Sequence, residues 1–395
     1  MLRGTPFHSR TSALCEGQNW RRWAGYVVAG SYELTHEREY HAIRNSAALI
    51  DISPLHKYRI TWPDAARLLD RMVTRDVSKC AVGQVLYTPW CDEAGKVIDD
   101  GTIARLEPLT FRLTAADPSL LWLEENSTGL HATVEDISEA IAALALQGPE
   151  ARAILEEATG LSLSELKYFR LTATRIGEVP VTISRTGYTG DLGYEIWVEA
   201  ESAESVWDAL INAGATHGIT PAGMLALDLA RIEAGLLLIE VDYVSAHKAL
   251  IEQQKSSPFE LGLGWAVKLE KENFVGRRAL MEEKLRGPAW QFVGVEIGWQ
   301  SLERRYGEAG LPPQVPSAAW RTSVPLYSNG TQVGYASSGG WSPLLKRTIA
   351  LAHVQSRYAR VGTPLQIEVT VEHQRKQAEA RVVETPFYSP ARKKA

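Results

Sequence analysis

The residues best suited to chemistry lie in one segment, Arg185-Thr-Gly-Tyr-Thr-Gly-Asp-Leu-Gly-Tyr-Glu-Ile-Trp-Val198. Val181 to Ser184 and Glu195 to Ala200 each alternate as strands do. Between them lie Gly187, Gly190 and Gly193, more glycine than a two-residue hairpin turn uses. Glycine permits positive φ and lets the backbone approach another group closely. Tyr188 and Tyr194 set flat rings into this backbone, and Glu195 puts a carboxylate at the start of the returning strand. Aromatic faces with one carboxylate suit a flat heterocycle bearing N–H donors, such as a pterin. By itself the segment reads more readily as a long surface hairpin whose tyrosines cover core edges.

A second constellation is Asp99-Asp100, directly after the apolar start of a strand at Lys96-Val97-Ile98. Successive strand residues point to opposite faces, so one of the two carboxylates faces inward if the strand lies on a core. A fixed carboxylate in a dry cavity stabilises positive charge that develops beside it and can accept a proton. Arg231 follows Asp228 by three residues on a helical pattern, which is the spacing of an ordinary ion pair.

These residues need elements to hold them. A helix is expected from about Leu34 to Ser46, then a strand at Tyr58 to Thr61 and a helix over Pro63 to Met72, with proline in its first turn. Strands follow at Gln84 to Trp90, Lys96 to Ala104 and Phe111 to Ala115. Leu120 to Asn126 and Ile137 to Leu146 read as helical or partly helical, as do Pro149 to Glu157 and Ala203 to Gly214. A helix with Thr220 at its cap, Pro221 in its first turn and Gly235 past its end carries the buried stripe Leu225, Leu229 and Ile232. Beyond Gly287-Pro288 the chain turns β-rich, with strands near 292–297, 322–327, 332–337, 349–354 and 364–370, and reads as a small barrel or sandwich. Glu303 to Pro316 reads as a loop insertion. The pattern is α+β followed by β.

Composition sets outer bounds. The chain has 395 residues, 45% of them hydrophobic, and a formal net charge of -5, enough for two or three domains. The charge argues against a nucleic-acid partner. The longest apolar run, Ala140 to Leu146, is too short to span a membrane, and the first residues lack the apolar core of a signal peptide, so a cytoplasmic protein is expected. Cys15, Cys80 and Cys91 show no metal-ligand spacing and are expected to be reduced thiols; no metal is expected.

The glycine-rich segment resembles the folate loop of the aminomethyltransferase family, the T-protein of the glycine cleavage system and its relatives. Further segments resemble that family in the same order. They are Leu49-Ile-Asp-Ile-Ser53, Leu86-Tyr87 followed by Gly95-Lys-Val-Ile-Asp-Asp100, Leu144-Ala-Leu-Gln-Gly-Pro149, Asp228-Leu-Ala-Arg-Ile-Glu-Ala-Gly235, and Gly334 to Pro343 with Ile349-Ala-Leu-Ala352. The resemblance covers nearly the whole chain. It implies a three-domain ring with folate in a central channel: two mixed α/β domains and a C-terminal β-barrel. The expected boundaries are 1–52 with 145–250 for a discontinuous folate-binding domain, 53–144 for an inserted domain, 251–287 for a linker and 288–395 for the barrel. It implies tetrahydrofolate as co-substrate. It assigns Asp99 to the transfer centre and leaves Asp100 as a solvated turn residue. Tyr87, Tyr188, Glu195, Arg231 and Trp265 become cofactor-binding candidates, Arg231 and Trp265 with structural alternatives still open.

The departures from the T-protein pattern cluster on the donor side. Leu236-Leu-Leu-Ile-Glu-Val-Asp-Tyr243 stands where a polar stretch is usual, and Pro54-Leu-His56 where His-Met is usual. His56 and Tyr243 are thus candidates for gripping or protonating a donor. The expected activity is methyl transfer from a small N-, O- or S-methylated compound to tetrahydrofolate. The alternatives are aminomethyl transfer from a lipoyl carrier protein, which is possible but not favoured, and a non-catalytic folate-binding regulatory protein.

Overall fold

The computed structural model describes residues 2–395. The strand Ala47–Asp51 is buried along its whole length, the mark of a strand covered on both faces. It lies inside a six-stranded sheet ordered Leu171–Ile176, Val179–Ser184, Gly193–Glu199, Ile141–Gln147, Ala47–Asp51 and Ile219–Pro221. A five-stranded sheet, Val85–Cys91, Val97–Glu107, Thr110–Ala115, His56–Thr61 and Thr133–Asp136, comes from the sequence between the first two strands of the larger one. Six strands from Trp290–Ile297 to Gln374–Val383 close into a barrel. The architecture is the α+β, three-bodied arrangement expected, with two mixed bodies and a C-terminal barrel.

Several elements differ from the sequence reading. Ile141–Gln147 is a central strand and not helical; a short apolar run fits either element, and pairing with Gly193–Glu199 and Ala47–Asp51 decides it. The helix expected from Pro221 begins at Met224 and runs to Glu233, because Ile219–Pro221 pairs in parallel with Ala47 to Leu49. Part of the expected loop at 303–316 belongs to a helix, Trp299–Gly307. A small sheet of Arg3–Gly4, Tyr26–Ser31 and Asn19–Trp23 was not foreseen. Among the described residues no helix is long and apolar enough to cross a membrane. The three cysteines are free and buried.

The helix Met224–Glu233 buries three charges: Asp228, Arg231 and Glu233. Charges cannot stay inside a protein unpaired, and these bring their partners from every part of the chain. Arg231 donates Nε–H to Asp228 at 2.9 Å and bonds Asp242 through Nη1. Asp242 also accepts Ser337 and Ser338 hydroxyls from the barrel at 2.5 and 2.7 Å, and the Leu238 N–H at 2.9 Å. Arg321 reaches Asp228 at 2.6 Å. Glu233 is held by Arg44 at 2.6 Å, and by the hydroxyls of Tyr40 and Ser342 at 2.5 Å each.

Removing one partner of a buried pair leaves the other uncompensated, which costs about 3–5 kcal/mol. Arg231→Met is therefore expected to lower stability on that scale. Arg278→Met, which breaks the exposed pair with Glu282, should change it by less than about 1 kcal/mol. Urea unfolding of the two variants measures the contrast; equal midpoints would remove Arg231 from its place at the centre of the assembly.

Candidate active site

The strand Gly193–Glu199 has two faces. Tyr194, Ile196 and Val198 enter the core of the six-stranded sheet, while Glu195 and Trp197 point the other way. Tyr194, expected as a ring in the loop, is thus a core residue whose hydroxyl accepts Arg152 Nε at 3.1 Å. Glu195 accepts the Thr186 hydroxyl at 2.7 Å, and burial raises its pKa from the ordinary glutamate value, while Thr186 and Arg112 act the other way.

The glycine-rich loop is pinned. A Cβ on Gly187 or Gly193 would lie 2.1 or 2.3 Å from the Gln147 side chain. Gln147 occupies that space, accepts the Thr189 hydroxyl at 2.8 Å and donates to the carbonyls of Thr186 and Tyr194 at 3.3 and 3.4 Å. What the backbone approaches closely at these two glycines is this amide plug. Tyr188 is fixed by its hydroxyl, which donates to the Leu237 carbonyl.

Facing Glu195 is the five-stranded sheet. Tyr87 pairs with Thr102 and Pro89 with Asp100, so Tyr87, Thr102 and Asp100 share one face. Asp100 accepts hydrogen bonds from the Tyr87 hydroxyl at 2.7 Å and from the Tyr243 hydroxyl. Asp99 pairs with Trp90 and lies on the opposite face, fully buried, accepting the backbone N–H of Asp100 at 2.8 Å and of Asp117 at 3.0 Å. The Tyr243 hydroxyl is 3.4 Å from its Oδ1. The expected placement is therefore exchanged. Asp100 is no solvated turn residue but the carboxylate beside Tyr87, and Asp99 stands behind it. Burial raises the pKa of both, and that of Asp99 strongly, with the charge of Asp100 as the second cause.

Tyr87, Asp100, Tyr188 and Glu195 each keep part of their surface open to solvent. Yet burial raises the pKa of every one of them. Each is thus largely enclosed without being sealed from solvent. At one edge Trp265, 55% exposed, stacks on Tyr87 with centroids 6.0 Å apart, and Arg75 lies 5.4 Å from the Trp265 ring.

Two expected site residues, and the run expected on the donor side, lie elsewhere or act otherwise. Arg231 is fully withdrawn into the ion pairs described above, with Nη2 alone lacking a partner. His56 is on the face of its sheet opposite Tyr87 and Asp100, since it pairs with Ala115, which pairs with Gly101. It stacks on Tyr58 and lines a separate depression of about 500 Å³ with Arg3, Tyr26 and Pro54; burial lowers its pKa. The Leu236–Ile239 run does not wall a donor space: Leu237, Ile239 and the Tyr243 ring pack with Cys91, Val97 and Leu261.

Arg112 was not anticipated. Alternation in Thr110–Ala115 sends Phe111 and Leu113 into the core and Arg112 toward Trp197, its guanidinium carbon 3.8 Å from the ring centroid. The signal was present in Phe-Arg-Leu-Thr, a cation at the inner position of an apolar strand. The donor set as a whole fits a flat, N–H-bearing heterocycle. Glu195 can accept from its edge, Tyr87 and Tyr188 supply ring faces, and Asp100 is a carboxylate on the same side. Among the described residues no cluster has the makings of a metal site.

Comparison with known proteins bears on the family and the fold. Residues 7–271 match the GCVT N-terminal domain, and residues 309–389 the glycine cleavage T-protein C-terminal barrel domain. An aminomethyltransferase of Symbiobacterium thermophilum is 38% identical over 99% of both chains. One of Bacillus pumilus is 33% identical over 99% of this chain and all of its own. A trimethylamine-oxide aldolase of Ruegeria pomeroyi is 34% identical over 99% of this chain but only 47% of its own length. The crystal structure of the glycine cleavage system aminomethyltransferase T of Bartonella henselae superposes with a TM-score of 0.83 at 26% identity, covering 98% of this chain and 99% of that one. The chain belongs to the aminomethyltransferase family and is a one-carbon transferase with tetrahydrofolate as co-substrate.

Proposed function

We propose that this chain carries out aminomethyl transfer: the carbon of a carrier-borne aminomethyl group becomes the methylene bridge of methylenetetrahydrofolate, its C–S bond breaks to release the carrier as a thiol, and its C–N bond breaks to release ammonia. The observation that carries this reading is the Asp100 carboxylate, held by two tyrosine hydroxyls on the face opposite Glu195. Whole-length similarity to proteins named aminomethyltransferase supports it. The separation of the two sheets in sequence supports the discontinuous domain division expected above.

Tetrahydrofolate supplies the amine nitrogens that take the carbon. Glu195 accepts N–H bonds from the pterin edge, and an ionised carboxylate takes two in parallel. Tyr87 and Tyr188 bound the ring, and Trp265 with Arg75 flanks the benzoyl-glutamate end. Asp100 stabilises positive charge at the reacting amine and can take its proton. Asp99, capped by two backbone N–H groups, keeps a second carboxyl behind it. Tyr243 orients Asp100 and is a positioning residue. A compact methylated donor used without a carrier is the second reading, favoured only by the Tyr243 hydroxyl at Asp100, since the apolar run beside it is core.

Asp100→Asn is nearly isosteric and removes charge. Turnover should fall on the order of a hundredfold or more, with tetrahydrofolate affinity within a few-fold of wild type. If Asp99→Asn is the more damaging change, the roles of the two carboxylates revert to those read from the sequence.

The pH profile follows from the same group. Burial raises the pKa of Asp100, and the ionised form is the active one. Activity should fall as pH drops through a value above that of an ordinary aspartate. Hydrogen bonds from Tyr243 and Tyr87 favour the ionised form, so Tyr243→Phe should move the acid limb to higher pH. An unmoved limb would detach Tyr243 from the carboxylate.

The donor is decided with purified protein, tetrahydrofolate and either aminomethyl-lipoyl carrier or small methylated amines. Methylenetetrahydrofolate and ammonia formed only with the carrier are expected. Product formed only from the small compounds would establish the second reading, and binding with no turnover from either would make the chain a folate-binding protein.

A further inference from the structure

Arg112 is 5% exposed. Among the described residues none of its nitrogens has a hydrogen bond or ion pair, and its Nε is enclosed without a partner. Trp197 covers one face, 3.8 Å away. The acidic group that acts on it is Glu195, and only beyond contact distance. Its positive neighbour Lys57 is equally enclosed, donating to the Ser53 and Ser138 carbonyls at 2.7 and 3.2 Å. Burial first, and then the charge of Arg112, hold that ammonium down to about 7. A buried cation with unused donors is unfavourable unless something outside the chain completes it.

We infer that Arg112 donates to the 4-oxo oxygen of the reduced pterin while Glu195 accepts from the neighbouring N–H groups. This rests on the folate reading above and adds a specificity-determining residue to it. The 2-amino-4-oxo edge of a pterin runs donor, donor, acceptor. The protein offers the complement. Glu195 and Trp197 stand two residues apart on one face of a strand, about 7 Å along it. Arg112 lies on Trp197, so a fixed donor sits beside the acceptor with a gap between them. The planar guanidinium fork is suited to a carbonyl in that setting, and stacking on Trp197 fixes its plane. The glutamate tail is a poorer partner, because Trp265 and Arg75 mark an exposed edge whereas Arg112 is enclosed.

The test uses the 4-amino analogue of tetrahydrofolate, which presents a donor where the oxygen was. Calorimetry should show wild-type protein preferring tetrahydrofolate at least tenfold. Arg112→Leu should weaken tetrahydrofolate at least tenfold and leave the analogue within about twofold, so that the preference collapses. Circular dichroism and urea midpoints check the fold of the variant. Should it fail to fold, the preference of wild type and of Arg112→Lys, which keeps charge without the fork, decides instead. Wild type showing no preference overturns the assignment. So does a variant that weakens both ligands equally, weakens neither, or changes only the donor KM. Wild type that binds no tetrahydrofolate at all overturns the folate reading itself, a result distinct from the others.

Discussion

Three charges on one buried helix must all find partners, and that requirement organises the molecule. Asp228, Arg231 and Glu233 lie within two turns of Met224–Glu233 and have almost no contact with solvent. An ion in such a place is tolerable only when paired and hydrogen-bonded. Arg44 and Tyr40 come from an N-terminal helix, Asp242 from the loop that follows, and Ser337, Ser338, Ser342 and Arg321 from the C-terminal part. Burial, and then the charge of Glu233, push the Tyr40 phenol well above its ordinary value, so it remains a donor to Glu233 at any ordinary pH. The network acts less as added stability than as a condition on how the parts are joined.

That condition extends to the chemistry. Asp242 is one residue before Tyr243, and Tyr243 grips Asp100. Leu237, five residues before Asp242, takes the Tyr188 hydroxyl. The short segment between helix and Tyr243 thus fixes both a ring wall and the orientation of the carboxylate. Preorganised groups need no rearrangement when charge develops, which is the usual source of electrostatic catalysis. Gln147 does the same for the glycine-rich loop from below, filling the space that Gly187 and Gly193 leave.

Much of this was legible in the sequence, and the misses have physical causes. Strand alternation carried the strand of Glu195 and most of the barrel strands, because one buried face forces a period of two, while Tyr87 came from the family resemblance. The same rule leaves Asp99 and Asp100 undecided between faces: adjacent residues are opposite by construction, and only pairing with Trp90 and Pro89 chooses. Ile141–Gln147 could not be typed, since an alanine-rich apolar run has no period of its own. Gln374–Val383 was missed because its outer face is polar and charged, which hides a barrel strand with one covered side. His56 and the Leu236–Ile239 run were read as donor-side because they depart from a familiar pattern. A departure marks a difference, and here the difference lies in the core and in a separate depression. Arg112 escaped because one arginine in a strand has no motif; its meaning comes from Trp197 across the gap.

The two barrel serines on Asp242 limit how such a protein can change over time. Barrels often pass between proteins as interchangeable parts, attached by a linker and indifferent to their neighbours. This one holds two of the hydroxyls that satisfy Asp242 and a third that satisfies Glu233. A substitute barrel of the same shape but without serines at those positions would leave two interior carboxylates short of donors. Recombination is therefore productive around this unit but not through it: new pieces can be appended to the whole, while the barrel and the helix it serves must be inherited together.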